Sequence, residues 1–150
     1  MDVLNIEIFK PLDEAEEIIQ AIRQHCPQLE YFCFPFIDKV NNALEELLLN
    51  SKHLKKIVIS GYYVDGDVMI KTLLKSISKK LRHIEINGDW KFSVKVLEEF
   101  LSNWKERGYL LYLKFSLNNY SSIKELSNVF QKFIDNGVLS SKSCVLYNND

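Results

Sequence analysis

The sequence predicts an α/β solenoid of five to six strand–helix repeats, with a parallel sheet on its concave face and helices on its convex face. Three observations predict it. A phrase of three apolar slots, spaced three and then two residues apart, recurs as Val3/Ile6/Ile8, Leu29/Phe32/Phe34, Leu54/Ile57/Ile59, Leu81/Ile84/Ile86 and Leu110/Leu113/Phe115. Its starts lie 26, 25, 27 and 29 residues apart. Amphipathic stretches fill the gaps, so the apolar period switches from two to about 3.6 between phrases, as it does where a strand gives way to a helix. Finally, the slots between the apolar ones are largely polar.

One strand and one helix at a fixed period of this length is the pattern of a leucine-rich-repeat solenoid. The first helix aligns Ala15, Ile18, Ile19, Ile22 and Cys26, with Glu14, Glu17 and Gln24 facing away. Asp13 and Glu16 have capping-box spacing. Pro11 pre-sets the approach to this helix and Pro27 blocks its continuation. The second helix carries Val40, Ala43, Leu44, Leu47 and Leu48, and the third Ile70, Leu73, Leu74 and Ile77, with Leu81 opening the next phrase. The fourth carries Leu97, Phe100, Leu101 and Trp104 and ends at Gly108. The fifth carries Ile123, Leu126, Phe130, Phe133 and Ile134 and ends at Gly137. Glycine just past a helix end supplies the left-handed residue that closes its last carbonyls. An apolar pair follows each of these two glycines, implying a sixth, degraded strand near residues 143–147.

No linker or low-complexity tract interrupts the chain. A single leucine-rich-repeat domain over residues 1–150 is therefore expected, with repeats starting near 3, 29, 54, 81 and 110 and a degraded C-terminal repeat near 139–148. Because Val3 opens a phrase almost at once, the chain is expected to begin within the solenoid, as a fragment, with a self-associating first strand or with a cap of another kind.

A doubly wound sheet also alternates strands and helices. Helices on both faces would require strands that are apolar at nearly every position. Here Asn5, Glu7, Lys56, His83, Glu85 and Lys114 occupy the slots between the apolar ones, and successive strand residues alternate faces. One face of the sheet is wet.

Composition narrows the function classes. With 47% hydrophobic and 26% charged residues the chain is globular rather than disordered. No apolar run approaches the ~20 residues that span a bilayer, and the N-terminus lacks the basic and apolar regions of a signal peptide. No membrane partner is expected. Cys26, Cys33 and Cys144 form neither a paired framework nor a Cys-x-x-Cys spacing, as befits free thiols in a reducing, intracellular compartment, cytoplasmic or nuclear. Residues 1–50 carry ten acids and three bases, and residues 51–150 ten acids and sixteen bases. Along a solenoid this becomes an end-to-end dipole, although acids on outer helix faces account for it more simply.

No catalytic constellation emerges, so the chain is read as a non-enzyme with no cofactor and no metal. Of the three histidines only His83 falls on the wet strand face, beside Glu85, and no motif supplies an activated nucleophile. Asp65-Gly66-Asp67 starts like a calcium loop but lacks the remaining ligands. It reads as a turn and helix cap. Lys52, Lys55 and Lys56, with Lys79, Lys80 and Arg82, form two basic clusters that complement helix C-terminal dipoles, so nucleic acid is not the expected partner. Phe36, Tyr62 and Tyr63 lie past their strand ends, where exposed aromatics often anchor partners. The sequence leaves their exposure open.

The function this pattern supports is non-catalytic protein binding through Tyr31, Lys56, His83, Glu85, Tyr112 and Lys114 on the concave face. The target is not specified. Two alternatives stand beside it: a small α/β enzyme with a strand-end site near His83 and Asp89, and a self-associating structural repeat module.

The strand phrases, residues 97–105 (Leu-Glu-Glu-Phe-Leu-Ser-Asn-Trp-Lys) and residues 133–137 (Phe-Ile-Asp-Asn-Gly) together resemble the C-terminal leucine-rich part of fungal F-box proteins, over essentially the whole chain. The resemblance implies the substrate-recognition domain of a Skp1–cullin–F-box ubiquitin ligase. The F-box helices are absent from this chain, so a Skp1-type adaptor would be reached only through such a segment. The asparagine ladder that closes each repeat in that family is replaced by Pro11, Ile37, Tyr62, Asp89 and Asn118. The turns are expected to satisfy their backbone amides in other ways.

Overall fold

The computed structural model describes residues 3–9 and 13–148. Six parallel strands form one sheet in chain order: β1 (Asn5–Glu7), β2 (Tyr31–Pro35), β3 (Lys56–Asp65), β4 (His83–Lys91), β5 (Tyr112–Asn118) and β6 (Cys144–Asn148). Between them run α1 (Ala15–His25), α2 (Asn41–Asn50), α3 (Gly66–Ser76), α4 (Val94–Trp104) and α5 (Ile123–Asp135). Each helix packs on the next. Right-handed crossovers between sequential parallel strands place all five on one side of the sheet.

The apolar slots lock the layers. Phe32, Ile57, Ile84 and Leu113 are direct neighbours across β2 to β5, as are Phe34, Ile59, Ile86 and Phe115. All eight are buried. They meet the helix stripes from the other side: Ile70 and Leu73 of α3 and Leu97 and Phe100 of α4 enclose one packed space with Ile84, Ile86, Leu113 and Phe115. Fully burying such a side chain contributes about 1.5–3 kcal/mol, so the two rungs outweigh any surface contact described below.

Helix ends follow the local chemistry in part. Asp65 caps α3, its carboxylate accepting from the Asp67 amide at 2.9 Å. Ser93 caps α4 by accepting from the Val96 amide at 3.1 Å. Gly108 and Gly137 adopt φ of 77° and 75°, closing the helical segments before them. The Asp13–Glu16 capping box does not form: α1 starts only at Ala15, after Glu14, with no side-chain cap. Pro11 lies outside the described residues.

Two other expectations are corrected. In the fifth phrase the core slot belongs to Leu111, fully buried, whereas Leu110 is 51% exposed. The chain passes the left-handed Gly108 (φ 77°) and then pairs at Leu111, which bridges the buried Leu139. Val3 is exposed, because β1 is an edge strand of three residues.

Tyr62 and Tyr63 do not lie past a strand end. They form a bulge inside β3. Gly61 pairs with Gly88 and Val64 with Trp90, so two residues of β3 oppose the single Asp89 of β4. Gly88 has a φ of 106°, and a Cβ there would run into the Gly61 carbonyl oxygen. A Cβ on Gly61 would collide with the Trp90 ring, which is itself fixed by its indole N–H donating to the Asn87 carbonyl at 2.7 Å. Tyr63 takes the left-handed backbone (φ 53°) that an extra residue requires.

Gly88→Ala is therefore expected to destabilise by at least about 2 kcal/mol, from φ strain plus steric conflict. Gly108→Ala, where nothing lies within 4 Å of the added carbon, should lose only the left-handed preference of about 1 kcal/mol. Urea unfolding of the two variants checks the ranking.

Candidate functional site

The slots between the apolar ones build the uncovered face of the sheet in registered rows. Asn5, Tyr31, Lys56, His83 and Tyr112 form one, and Glu7, Cys33, Val58, Glu85, Lys114 and Cys144 the next. A third consists of Pro35, Ser60, Asn87, Ser116 and Leu146. All six sequence-predicted contact residues thus come together, across four adjacent strands about 4.8 Å apart. Each is half-buried. The third row could have been found by counting one residue past each phrase.

The first row holds two side-chain pairs. The Lys56 ammonium lies 5.4 Å from the centroid of Tyr31, and the His83 and Tyr112 rings are 4.3 Å apart. His83 also joins the second row, Nε2 to Glu85 Oε1 at 3.0 Å. Burial lowers the His83 pKa below its ordinary 6.5. The Glu85 hydrogen bond opposes that shift, while the Lys56 and Lys114 charges add to it. The ring is accordingly neutral near pH 7, donating from Nε2–H to the carboxylate rather than forming an ion pair. Neither Lys56 nor Lys114 pairs with a carboxylate among the described residues.

Tyr31 and Cys33 are tuned the same way. Burial pushes the Tyr31 phenol up to about 12, assisted by Cys33 and Glu7. Burial also raises the Cys33 thiol, only partly offset by the Tyr31 hydrogen bond. A protonated, buried thiol is a poor nucleophile. This face presents rings, two ammonium groups and the carboxylates of Glu7 and Glu85. It can hold a chain against it, and it positions no activated group.

The rim aromatics divide. Phe36 is 2% exposed and packs 5.7 Å from the Trp90 ring, inside the core. Tyr62 and Tyr63 are 74% and 64% exposed, edge to face at 4.6 Å. The Gly61 and Gly88 pair was the sequence signal for this bulge. Asp89 is a buried carboxylate within β4, opposite the bulge, and accepts from Asn119 Nδ2 at 3.2 Å. A cleft of about 640 Å³ opens at the strand C-termini between Asp65, Asp67, Trp90, Ser93 and Tyr120, and it includes neither His83 nor Asp89. The substitutes for the asparagine ladder are piecemeal: Asp67 accepts from the Ser93 amide at 2.8 Å, and the Tyr120 hydroxyl donates to the Phe92 carbonyl at 3.1 Å.

Among the described residues no helix is long and apolar enough to cross a membrane, and no group of three or more histidines, cysteines or acids could hold a metal ion. No protein-family model matches the chain, and no curated protein matches it in sequence. Among solved structures, the tropomodulin C-terminal domain of Caenorhabditis elegans is similar, with a TM-score of 0.57 over 91% of this chain and 83% of that one. The fold is leucine-rich-repeat-like. At 15% identity the likeness is one of fold alone.

The His83 shift has a pH consequence. The unfolded chain takes up this proton more readily than the folded one. The stability tied to a neutral His83 is therefore complete above about pH 6.5 and is lost as pH falls from there through the lowered folded value. His83→Gln should flatten that part of the profile. Melting temperatures of wild type and variant between about pH 8 and 5 should converge at the acid end.

Proposed function

We propose that residues 1–150 act as one leucine-rich-repeat domain whose uncovered sheet face captures a protein target without catalysis. The observation that carries this reading is the registered patch of Tyr31, Lys56, His83, Glu85, Tyr112 and Lys114 on four successive strands. Its rings are held in place before binding, so little side-chain entropy is lost on contact. Its two unpaired ammonium groups favour a target segment bearing carboxylates. The similarity to the tropomodulin C-terminal domain supports the architecture of such a module.

The finer reading, from the resemblance to fungal F-box proteins, is target recognition for a ubiquitin ligase. It requires that the native gene product co-purify with a Skp1-type adaptor. Co-purification of the target alone would overturn that finer reading and leave the binding face intact.

A photo-crosslinking residue placed at Tyr112 should capture discrete partners from cell extract. The same residue at Lys95 on the exposed surface of α4 should not, and Lys56→Glu with Lys114→Glu should abolish capture at Tyr112 without changing the melting temperature by more than a few degrees. Equal capture at both positions would sink the proposal. The self-associating alternative rests on edge strand β1, flanked by the exposed Val3, Leu4 and Phe9. It predicts a sedimentation coefficient that rises with concentration and loses that rise in Phe9→Lys.

A further inference from the structure

The opposite edge, where helices end and strands begin, carries a feature the binding face does not use. A cleft of about 410 Å³ lies between the C-terminal ends of α2 and α3. Lys52, Lys75, Lys79 and Lys80 line it. Through Ile77 and Lys79 it continues into a second cleft of about 640 Å³ that reaches Arg107 and Tyr109 beyond α4. The two basic sequence clusters are thereby redrawn. Lys55 pairs with Glu30 at 3.1 Å, Lys56 faces the open sheet, and Arg82 stacks 3.2 Å over the Tyr109 ring. Lys75 and Arg107, distant in sequence, take their places.

These cations exceed what the helix ends require. Ser51 Oγ donates to the Leu47 carbonyl at 2.7 Å, and the Ser51 amide to Leu48 at 3.2 Å, closing α2. Ser76 Oγ donates to Thr72, and the Ile77 amide to Leu73 at 3.1 Å, closing α3. No lysine of the cleft pairs with a carboxylate among the described residues. Lys80 instead donates to His53 Nδ1 at 3.1 Å. Arg107 is clamped by the Ser78 carbonyl at 3.2 Å and the Trp104 ring at 4.5 Å.

The floor is apolar. Leu48 and Ile77 form its base, and Leu49, 55% exposed, forms its lip. A nucleic-acid strand would use the ammonium groups but would gain nothing from Leu49. It would also find no free stacking ring, since Arg82 already covers Tyr109. A segment bearing both carboxylates and an aliphatic anchor uses every part of the groove.

We propose that this groove docks an acidic segment of a partner protein, with its carboxylates on Lys52, Lys75, Lys79 and Lys80 and an aliphatic side chain seated on Leu49 and Ile77. This site is separate from the open sheet face and stands or falls without it.

Fluorescence anisotropy with a labelled helical peptide, glutamates on one face and two leucines four residues apart, tests it. Binding should weaken by about tenfold or more in Lys75→Glu with Lys79→Glu, and several-fold in Leu49→Ser. It should be unchanged in Lys95→Glu with Lys124→Glu, on the exposed surfaces of α4 and α5. A lysine-for-glutamate control peptide should not bind. Binding that ignores the Lys75 and Lys79 reversals overturns the proposal. So does binding insensitive to Leu49→Ser while a single-stranded oligonucleotide or an anionic vesicle binds as tightly. Self-association of the chain that the same two reversals abolish, with the peptide unable to compete, would assign the groove to a second copy and overturn it as well.

Discussion

Strict register between parallel strands is the constraint from which the rest of this molecule follows. A slip of one residue in β4 would turn His83 and Glu85 into the helix-facing core and Ile84 and Ile86 into water. Burying unpaired polar groups costs several kcal/mol each, whereas a stacked ring pair or an exposed cation–π contact is worth about 0.5–1.5 kcal/mol. The magnitudes decide which is cause and which is consequence. The apolar rungs Phe32–Ile57–Ile84–Leu113 and Phe34–Ile59–Ile86–Phe115 hold the register. The row Tyr31–Lys56–His83–Tyr112 is aligned because those rungs are.

Register gives way at one place between β3 and β4, and there the chemistry changes. Inserting Tyr63 against Asp89 requires a left-handed tyrosine, which costs about 1–3 kcal/mol, and two strands close enough that only Gly61 and Gly88 fit. Trp90, buried and bonded to the Asn87 carbonyl, fills the space beneath. The bulge lifts two phenol rings off the sheet into solvent while the strands continue to Asp65 and Lys91. Without it, β3 and β4 would run on in plain alternation, and a rim would be merely polar.

The sheet, its parallel sense and the make-up of its open face were legible because each depends on residue type at a fixed spacing. The phrase Leu81/Ile84/Ile86 identifies its own core side, and His83 and Glu85 are then left facing out. Events that depend on one residue of backbone geometry were not legible. Leu110 and Leu111 are equally apolar, and it is the pairing of Leu111 with the segment at Leu139 that places it in the core. Asp13 and Glu16 have the right spacing for a cap, yet α1 starts at Ala15, so Glu14 takes the cap position and Glu16 falls in the first turn. Phe36 and Tyr62 look alike as aromatics after a strand phrase, but Trp90 draws one inward and the bulge sends the other out. The groove joins Lys52 to Arg107 across three helix ends, a proximity no local pattern carries.

Charge placement shows the same division between local rule and assembled structure. Residue order suggested an end-to-end dipole, and the assembled sheet adds a polarity across it. Every helix runs in the same direction, so five C-termini crowd one edge and five N-termini the other. Like dipole ends packed side by side repel, and each charge of opposite sign placed there returns about 0.3–1 kcal/mol. Asp38, Asp65, Asp67 and Asp89 accordingly gather where strands end, and Lys52, Lys79, Lys80 and Arg107 where strands begin. The effect fades within a helical turn and is already shared with the Ser51 and Ser76 hydroxyls. It explains why cations collect on that edge. It does not explain four lysines around an exposed leucine with no carboxylate partner among the described residues, and that excess over the dipole requirement is what the proposed groove accounts for.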